Sequence, residues 1–219
     1  MFPFTRILPS LIISSLTYCI LLPLNCAKAQ ITPDNTLGTQ NSIVTPNQLI
    51  KEIPSDRIDG GAIRGGNLFH SFTEFNIKQG RGVYFTNPSG IENILTRVTG
   101  SNISNILGTL GVNGGANLFL LNPNGIIFGE NARLDINGSF VGSTANAIGF
   151  ENQGFFSATD PQTPSQLLTI KPDAFFFNQL QPGKIENSSI APLENNFFGL
   201  KVPDGRSEWW KGGFGRVSR

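Results

Sequence analysis

The apolar residues of this chain fall in short runs separated by turn residues. Leu118, Phe119, Leu120 and Leu121 form one run, Ile126, Ile127 and Phe128 another, and Asn122-Pro123-Asn124-Gly125 lies between them. Asn122 can bond its own backbone, Pro123 presets φ, and Gly125 accepts a positive φ, so the spacing predicts strand, corner, strand. Residues 132–137 alternate apolar and polar positions, the period of a strand with one buried face. Phe72, Phe75 and Ile77, then Val83 and Phe85, mark further strand cores, and glycine-rich corners recur from Ile58 onward. No apolar stripe of period 3.6 has useful length. Residues 143–148 have a weak helical tendency and are expected to be a short helix or a loop.

A second corner, Asn87-Pro88-Ser89-Gly90-Ile91, lies 35 residues before the first. Many short strands can form a sandwich of hairpins or a solenoid of parallel strands. The recurring corner and the near-continuous apolarity of the strands favour an all-β solenoid with coils of about 20 residues. On that reading Asn87 and Asn122 share one corner of the stack, two coils apart and separated by on the order of 10 Å. Asparagine and aromatic residues are expected to align in ladders. Residues 30–57, dense in turn residues, are expected to cap the first coil. Residues 155–166 read as a loop or excursion, and residues 167–170, 175–177 and 185–187 as further short strands.

Composition narrows the class. Charged residues are only 14% of the chain, against 25 glycines and 18 phenylalanines, which excludes a disordered polypeptide and favours strands over helices. Arg6 precedes a broken apolar run, and Ala27-Lys28-Ala29 supplies small residues before Gln30, so residues 1–29 read as a secretory signal cut before Gln30. A membrane anchor is disfavoured by the shortness of the run. Removing Arg6 and Lys28 leaves 14 basic and 15 acidic residues, so no electrostatic footprint for nucleic acid exists. Both cysteines, Cys19 and Cys26, fall in the leader, so the exported part is expected to carry no disulfide.

Candidate chemistry is sparse. His70 is the sole histidine, expected to be satisfied within the fold or exposed, and with no second histidine and no cysteine in the exported part no metal site is expected. Arg64, Arg81 and Arg97 lie near glycine corners and read as solvated turn residues. Asn102, Asn137 and Asn187 open glycosylation-type triplets and read as polar corners. The acidic residues between 60 and 160 (Glu74, Glu92, Glu130, Asp135, Glu151 and Asp160) are scattered, so no paired-carboxylate or calcium chemistry is indicated. A carbohydrate-active β-helix lyase or glycosidase is the alternative reading, and no catalytic residue and no cofactor is assigned.

The string Ala116-Asn117-Leu118-Phe119-Leu120-Leu121-Asn122-Pro123-Asn124-Gly125-Ile126, with Gly65-Gly66-Asn67-Leu68-Phe69-His70-Ser71-Phe72 and Arg97-Val98-Thr99-Gly100, resembles the filamentous haemagglutinin N-terminal domain, the two-partner secretion domain of large exported adhesins. The resemblance runs from about Gln30 to Gly205. It implies a right-handed, pectin-lyase-like parallel β-helix with an N-terminal cap. It also implies passage through the periplasm and recognition there by a partner outer-membrane β-barrel transporter with periplasmic recognition domains. The final protein would be secreted or on the cell surface, non-catalytic, with surface glycans or proteins as further partners. Asn122, Pro123, Asn124, Gly125 and Ile126, with Asn87, Pro88, Gly90 and Ile91, carry the structural and secretion motif. Ser89-Gly90 departs from the family's second corner.

The expected organisation is therefore a signal peptide over 1–29, a secretion domain over 30–206, and an atypical tail over 207–219. In that tail Glu208, Trp209, Trp210 and Lys211 follow Val202-Pro203-Asp204-Gly205 without strand alternation. A frameshifted or truncated adhesin is one expectation. A cap, with the tryptophans covering the last apolar layer against Phe197 and Phe198, is the other.

Overall fold

A computed structural model describes residues 31–193 and 198–212. The expected signal peptide and both cysteines lie outside them. Strands, numbered in chain order, dominate; among the described residues the one helical element is a 3-10 turn at Glu151–Gln153.

Three sheets run along a stack of about three coils. The first contains β1 (Ile31–Pro33), β5 (Asn67–Phe75), β7 (Asn93–Val98), β10 (Asn117–Leu121), β13 (Phe140–Ser143) and β18 (Glu208–Lys211), with β4 (Ala62–Arg64) beside β5. The second contains β2 (Ser42–Ile50), β3 (Ile53–Gly60), β6 (Gly82–Thr86), β9 (Thr109–Asn113) and β12 (Arg133–Asp135). The third contains β8 (Ser104–Ile106), β11 (Gly125–Phe128) and β17 (Lys184–Asn187). Neighbouring coils pair parallel throughout, as β5 with β7, β7 with β10 and β6 with β9. The chain is the expected all-β parallel β-helix with an N-terminal cap. The cap is antiparallel: β1 closes the first sheet against β5, and β2 closes the second against β3. A bulge between Thr45 and Gln48, Pro46, and the positive φ of Asn47 (59°) break the outer edge of β2, which makes it a poor template for another strand.

The coils are longer than expected. Gly82 pairs with Thr109, an advance of 27 residues, and Asn93 with Asn117, an advance of 24. The 35-residue spacing of the two Asn-Pro corners is therefore not two coils. It is one coil of 27 residues and eight residues more. Asn87 follows β6, at the passage from the second sheet to the first, whereas Asn122 follows β10, at the passage from the first to the third. The two corners lie on different edges of the stack, and the shared-corner expectation is wrong. The ladder is made by other asparagines. Asn117 Nδ2 donates to Asn93 Oδ1, and Asn93 Nδ2 to Asn67 Oδ1, each at 2.9 Å. Asn67 Nδ2 ends the ladder on the carbonyls of Leu168 and Ile170.

Apolar positions stack in the same way. Leu68, Ile94, Leu118 and Phe140 are register partners across four successive strands and fill the interior. At ~1.5–3 kcal/mol for each fully buried large apolar side chain, such rows are the main favourable term. The next residues along, Phe69, Leu95 and Phe119, point outward, yet they are covered too. The chain leaves the stack after β13, forms a small antiparallel sheet of β14 (Ala147–Gly149), β15 (Phe155–Ser157) and β16 (Ala174–Phe176), and returns at β17. Ile148, Phe150, Phe156 and Leu168 of this excursion pack on Phe69, Leu95 and Leu121. A sheet buried on both faces explains why its strands are apolar without alternation. Residues 143–148 are thus the end of β13 and the start of β14, with no helix. Residues 167–170 are a turn, not a strand, because Asn67 binds two of their carbonyls.

Two arginines hold the excursion. Arg97 is 1% exposed and Arg64 4%, so neither is the solvated turn residue expected from its glycine neighbours. Arg97 donates to Ser71 Oγ (2.9 Å), Thr36 Oγ1 (2.8 Å) and the carbonyls of Ser157 and Gln162 (both 2.9 Å), and its guanidinium lies 4.4 Å from the Phe156 ring centroid. The two hydroxyls donate in turn to Asp34, as does Thr99. Burial alone would raise the Asp34 pKa, but these hydrogen bonds outweigh it and hold the carboxyl below its usual range. Burial lowers Arg97 to about 10, opposed by Asp34, and it remains charged at neutral pH. Arg64 donates to the Pro164 carbonyl and to Gln40 Oε1. Cap and excursion are thereby joined through side chains of β4, β5 and β7. The third arginine, Arg81, is half-buried and paired with Asp56 at 2.8 Å.

The tail follows the cap expectation in part: Trp210 covers the last apolar layer, whereas Trp209 is exposed and the segment is a strand. Glu208–Lys211 is a strand, parallel to β13, and Trp210 packs on Phe128 and Phe140 with ring centroids 5.0 and 5.5 Å away. Phe198 is exposed, and Phe197 lies outside the described residues.

Two predictions follow from these buried groups. Replacing Arg97 with Met leaves Asp34 without its counter-charge and two carbonyls without their donor, and is expected to lower unfolding free energy by about 3 kcal/mol in urea titration; Arg97→Lys, with three donors and no fork, restores less than half. His70 is buried, with Nδ1 at 3.0 Å from Ser42 Oγ and Nε2 unpartnered, so it is only half satisfied. Burial pushes its pKa down to about 3, opposed by Asp59. Below pH 6.5 the unfolded chain therefore binds a proton that the folded chain refuses, and stability falls with pH. The loss between pH 7 and pH 5 is expected to be about 2 kcal/mol, absent in His70→Leu. Asp34 contributes its own loss only at lower pH, as the medium approaches and passes below the carboxylate range.

Candidate recognition site

The corner after β10 is built from Asn122 outward. Gly125 N donates to Asn122 O at 3.1 Å, closing a four-residue turn with Pro123 at its second position. Asn122 is fully buried. Its Oδ1 accepts from Asn124 N at 3.0 Å, and its Nδ2 donates to Asn102 O and Ser104 Oγ, both 3.0 Å, in the preceding coil. Asn124 is exposed and donates to Gly100 O at 2.8 Å. Gly125 has φ 134°, and a Cβ there would sit 3.0 Å from Lys184 O and 3.2 Å from Ile103 Cγ2. Ile126 then enters the core between Ser104 and Ile185.

The upstream corner uses its asparagine in the opposite sense. Asn87 Nδ2 donates to Pro88 O and Ile91 O within its own turn, both at 3.1 Å, while Oδ1 accepts Ala116 N at 3.0 Å from the following coil. Gly90 takes φ 82°, and Ile91 is buried. Each asparagine therefore ties two successive coils at a corner, one backward and one forward. The structure does not bring the two corners together. Among the polar-corner expectations, Asn102 and Asn137 are exposed at turns, whereas Asn187 ends β17. Among the described residues, no group of three or more His, Cys, Asp or Glu side chains is placed to hold a metal.

Sequence reasoning anticipated an asparagine ladder but not which asparagines form it, and it missed the two buried arginines. The ladder had a signal. Asn67, Asn93 and Asn117 each open a strand whose next two residues are large and apolar, and they recur at intervals of 26 and 24 residues. The arginines had none, since their carbonyl acceptors in the excursion lie 60 to 100 residues further on and their side-chain acceptors precede them by 24 to 61.

The family comparison bears on the same stretch. Residues 29–197 match the model of the TPS secretion domain. The chain belongs to this family. The TPS secretion domain is a secretion-substrate domain and not an enzyme family, so the chain is a two-partner-secretion substrate, exported with a partner outer-membrane transporter. A comparison with curated proteins finds no match. The match covers the cap, all three coils and the excursion, and ends before β18.

The corner's stability is testable apart from export. Asn122→Ala removes four bonds, two on the amide nitrogen and two on the oxygen, from a buried side chain and is expected to cost about 1–3 kcal/mol by urea unfolding. Asn124→Ala, at an exposed position, is expected to cost under about 1 kcal/mol.

Proposed function

We propose that the chain is the secretion module of an adhesin-type exported protein and performs no catalysis. The TPS secretion domain match over residues 29–197 carries this reading. In it, residues 1–29 direct the chain to the periplasm. There the extended chain meets the periplasmic recognition domains of its transporter and is threaded outward. It then folds beyond the membrane. The architecture supports such a route, because each coil contacts its neighbours, and coils can be added as they emerge. No disulfide has to form in residues 30–219, since both cysteines precede them.

The motif residues Asn122, Pro123, Asn124, Gly125 and Ile126 are proposed to serve recognition as well as turn geometry, with Asn87, Pro88, Gly90 and Ile91 as the second such corner. Supporting this is the contrast within one turn: Asn122 and Ile126 face inward and hold the coil, while Asn124 faces solvent. The folded protein is proposed to act at the cell surface or in the medium, with glycans or proteins as partners.

Co-expression with the partner transporter tests the reading. Asn124→Ala, nearly neutral for stability, is expected to reduce secreted protein several-fold, and Asn137→Ala at another exposed corner to leave it unchanged. Export that simply tracks the unfolding free energies of Asn122→Ala and Asn124→Ala would reduce the motif to a turn.

A further inference from the structure

A cleft opens where the third sheet passes to the second. The first and third coils make this passage with four residues, 78–81 and 129–132, while the coil between them makes it with Leu107 and Gly108 alone. Gly108 is pressed under the upper loop: a Cβ there would overlap the carbonyls of Arg81 and Lys78. Two protruding loops with a recessed one between them leave a notch of about 370 Å³, closed on its third side by the tip of the β2–β3 hairpin.

The hairpin tip is held in an unusual conformation. Lys51 and Glu52 both have positive φ, 49° and 65°, in a two-residue turn where Asn-Gly would be relaxed. A bond network from the last coil keeps it there. Lys51 Nζ pairs with both Asp135 oxygens at 2.8 and 2.7 Å, and the Tyr84 hydroxyl donates to Asp135 at 2.9 Å. The consequence is that Glu52 lines the notch together with Arg133.

The charges in the notch are not all answered from within. Arg81 is neutralised by Asp56. Arg133 donates one bond to the Pro192 carbonyl at 2.8 Å and has no carboxylate partner among the described residues. Glu52, Gln79 and Asn131 make no hydrogen bond or ion pair there. An anionic ligand would meet Glu52 and a cationic one Arg133. A neutral ligand whose groups both donate and accept would satisfy the carboxylate, the guanidinium and the two amides together. Vicinal hydroxyls have that property, and the exposed Pro54 on the same wall offers an apolar ledge for a ring's C–H face.

We propose that this notch is a binding site for a neutral saccharide, oriented by Glu52 as acceptor and Arg133 as donor. The proposal rests on the reading that glycans are partners of the folded protein and gives that reading a site; it does not rest on the Asn122 corner or on export. The test is amide-resolved NMR titration of the purified protein with cellobiose, lactose, maltose and N,N′-diacetylchitobiose, with glucuronate and glucosamine as charged controls. At least one neutral disaccharide is expected to shift the amides of Gly80, Gly108 and Thr109 with a Kd of about 1 mM. Glu52→Gln and Arg133→Met are each expected to weaken it about tenfold, with unchanged thermal midpoints because both side chains are exposed. Absence of those shifts at about 20 mM for all four disaccharides overturns the proposal. So does tighter binding of either charged control, or an affinity unmoved by Glu52→Gln. Neither result touches the export reading, which is measured by secretion.

Discussion

The Arg97 guanidinium is the point on which the assembly depends. A charged group 1% exposed is stable only if its donors are met, and here the acceptors come from the cap, the first coil and the excursion. None of these segments can be displaced without leaving part of a buried charge unanswered. The counter-charge, Asp34, is reached through two hydroxyls and not by direct contact, so Thr36 and Ser71 are as much a part of the ion pair as its ends. A parallel stack supplies local contacts between neighbouring coils. This junction adds a non-local constraint that joins residue 34 to residue 162.

The same constraint shapes the first sheet. Because the excursion is drawn back over its outer face, that sheet carries two apolar layers, one toward the interior and one toward Phe150 and Phe156. The asparagine ladder ends on the carbonyls of Leu168 and Ile170, so the turn at 167–170 is anchored by a row of side chains that begins two coils away. The second sheet, free of such a cover, instead lays Tyr84 flat over Gly111 and ties it to Asp135 and Lys51. The notch beside it exists because one coil turns with two residues where its neighbours use four.

On the proposed route, in which the chain is extended in transit and folds afterward, this division is useful. Coil stacking needs only neighbouring coils, whereas the arginine junction closes only when residues 157–164 are present. Until then Arg97 and Arg64 lack their carbonyl acceptors, and the outer layer of the first sheet is bare.

Read alone, the sequence determined the class of fold. Period-2 alternation, apolar runs without helical period, and glycine corners admit a parallel β-solenoid because strand and turn preferences are local. The Asn122–Gly125 turn was legible for the same reason, since Asn, Pro and Gly act on their own backbone. Coil length was not legible from the two Asn-Pro corners, because similar turn chemistry serves two different edges of the stack. The repeat that does report it, Asn67, Asn93 and Asn117, is marked by a polar residue ahead of an apolar pair and not by a turn. Only the tertiary structure decided that Arg64 and Arg97 are buried, that His70 keeps one nitrogen unpartnered, that Glu52 and Arg133 share a notch, and that Glu208–Lys211 is a strand. Each of these depends on groups brought together from distant parts of the chain, and no local preference encodes which carbonyl, hydroxyl or strand edge will arrive.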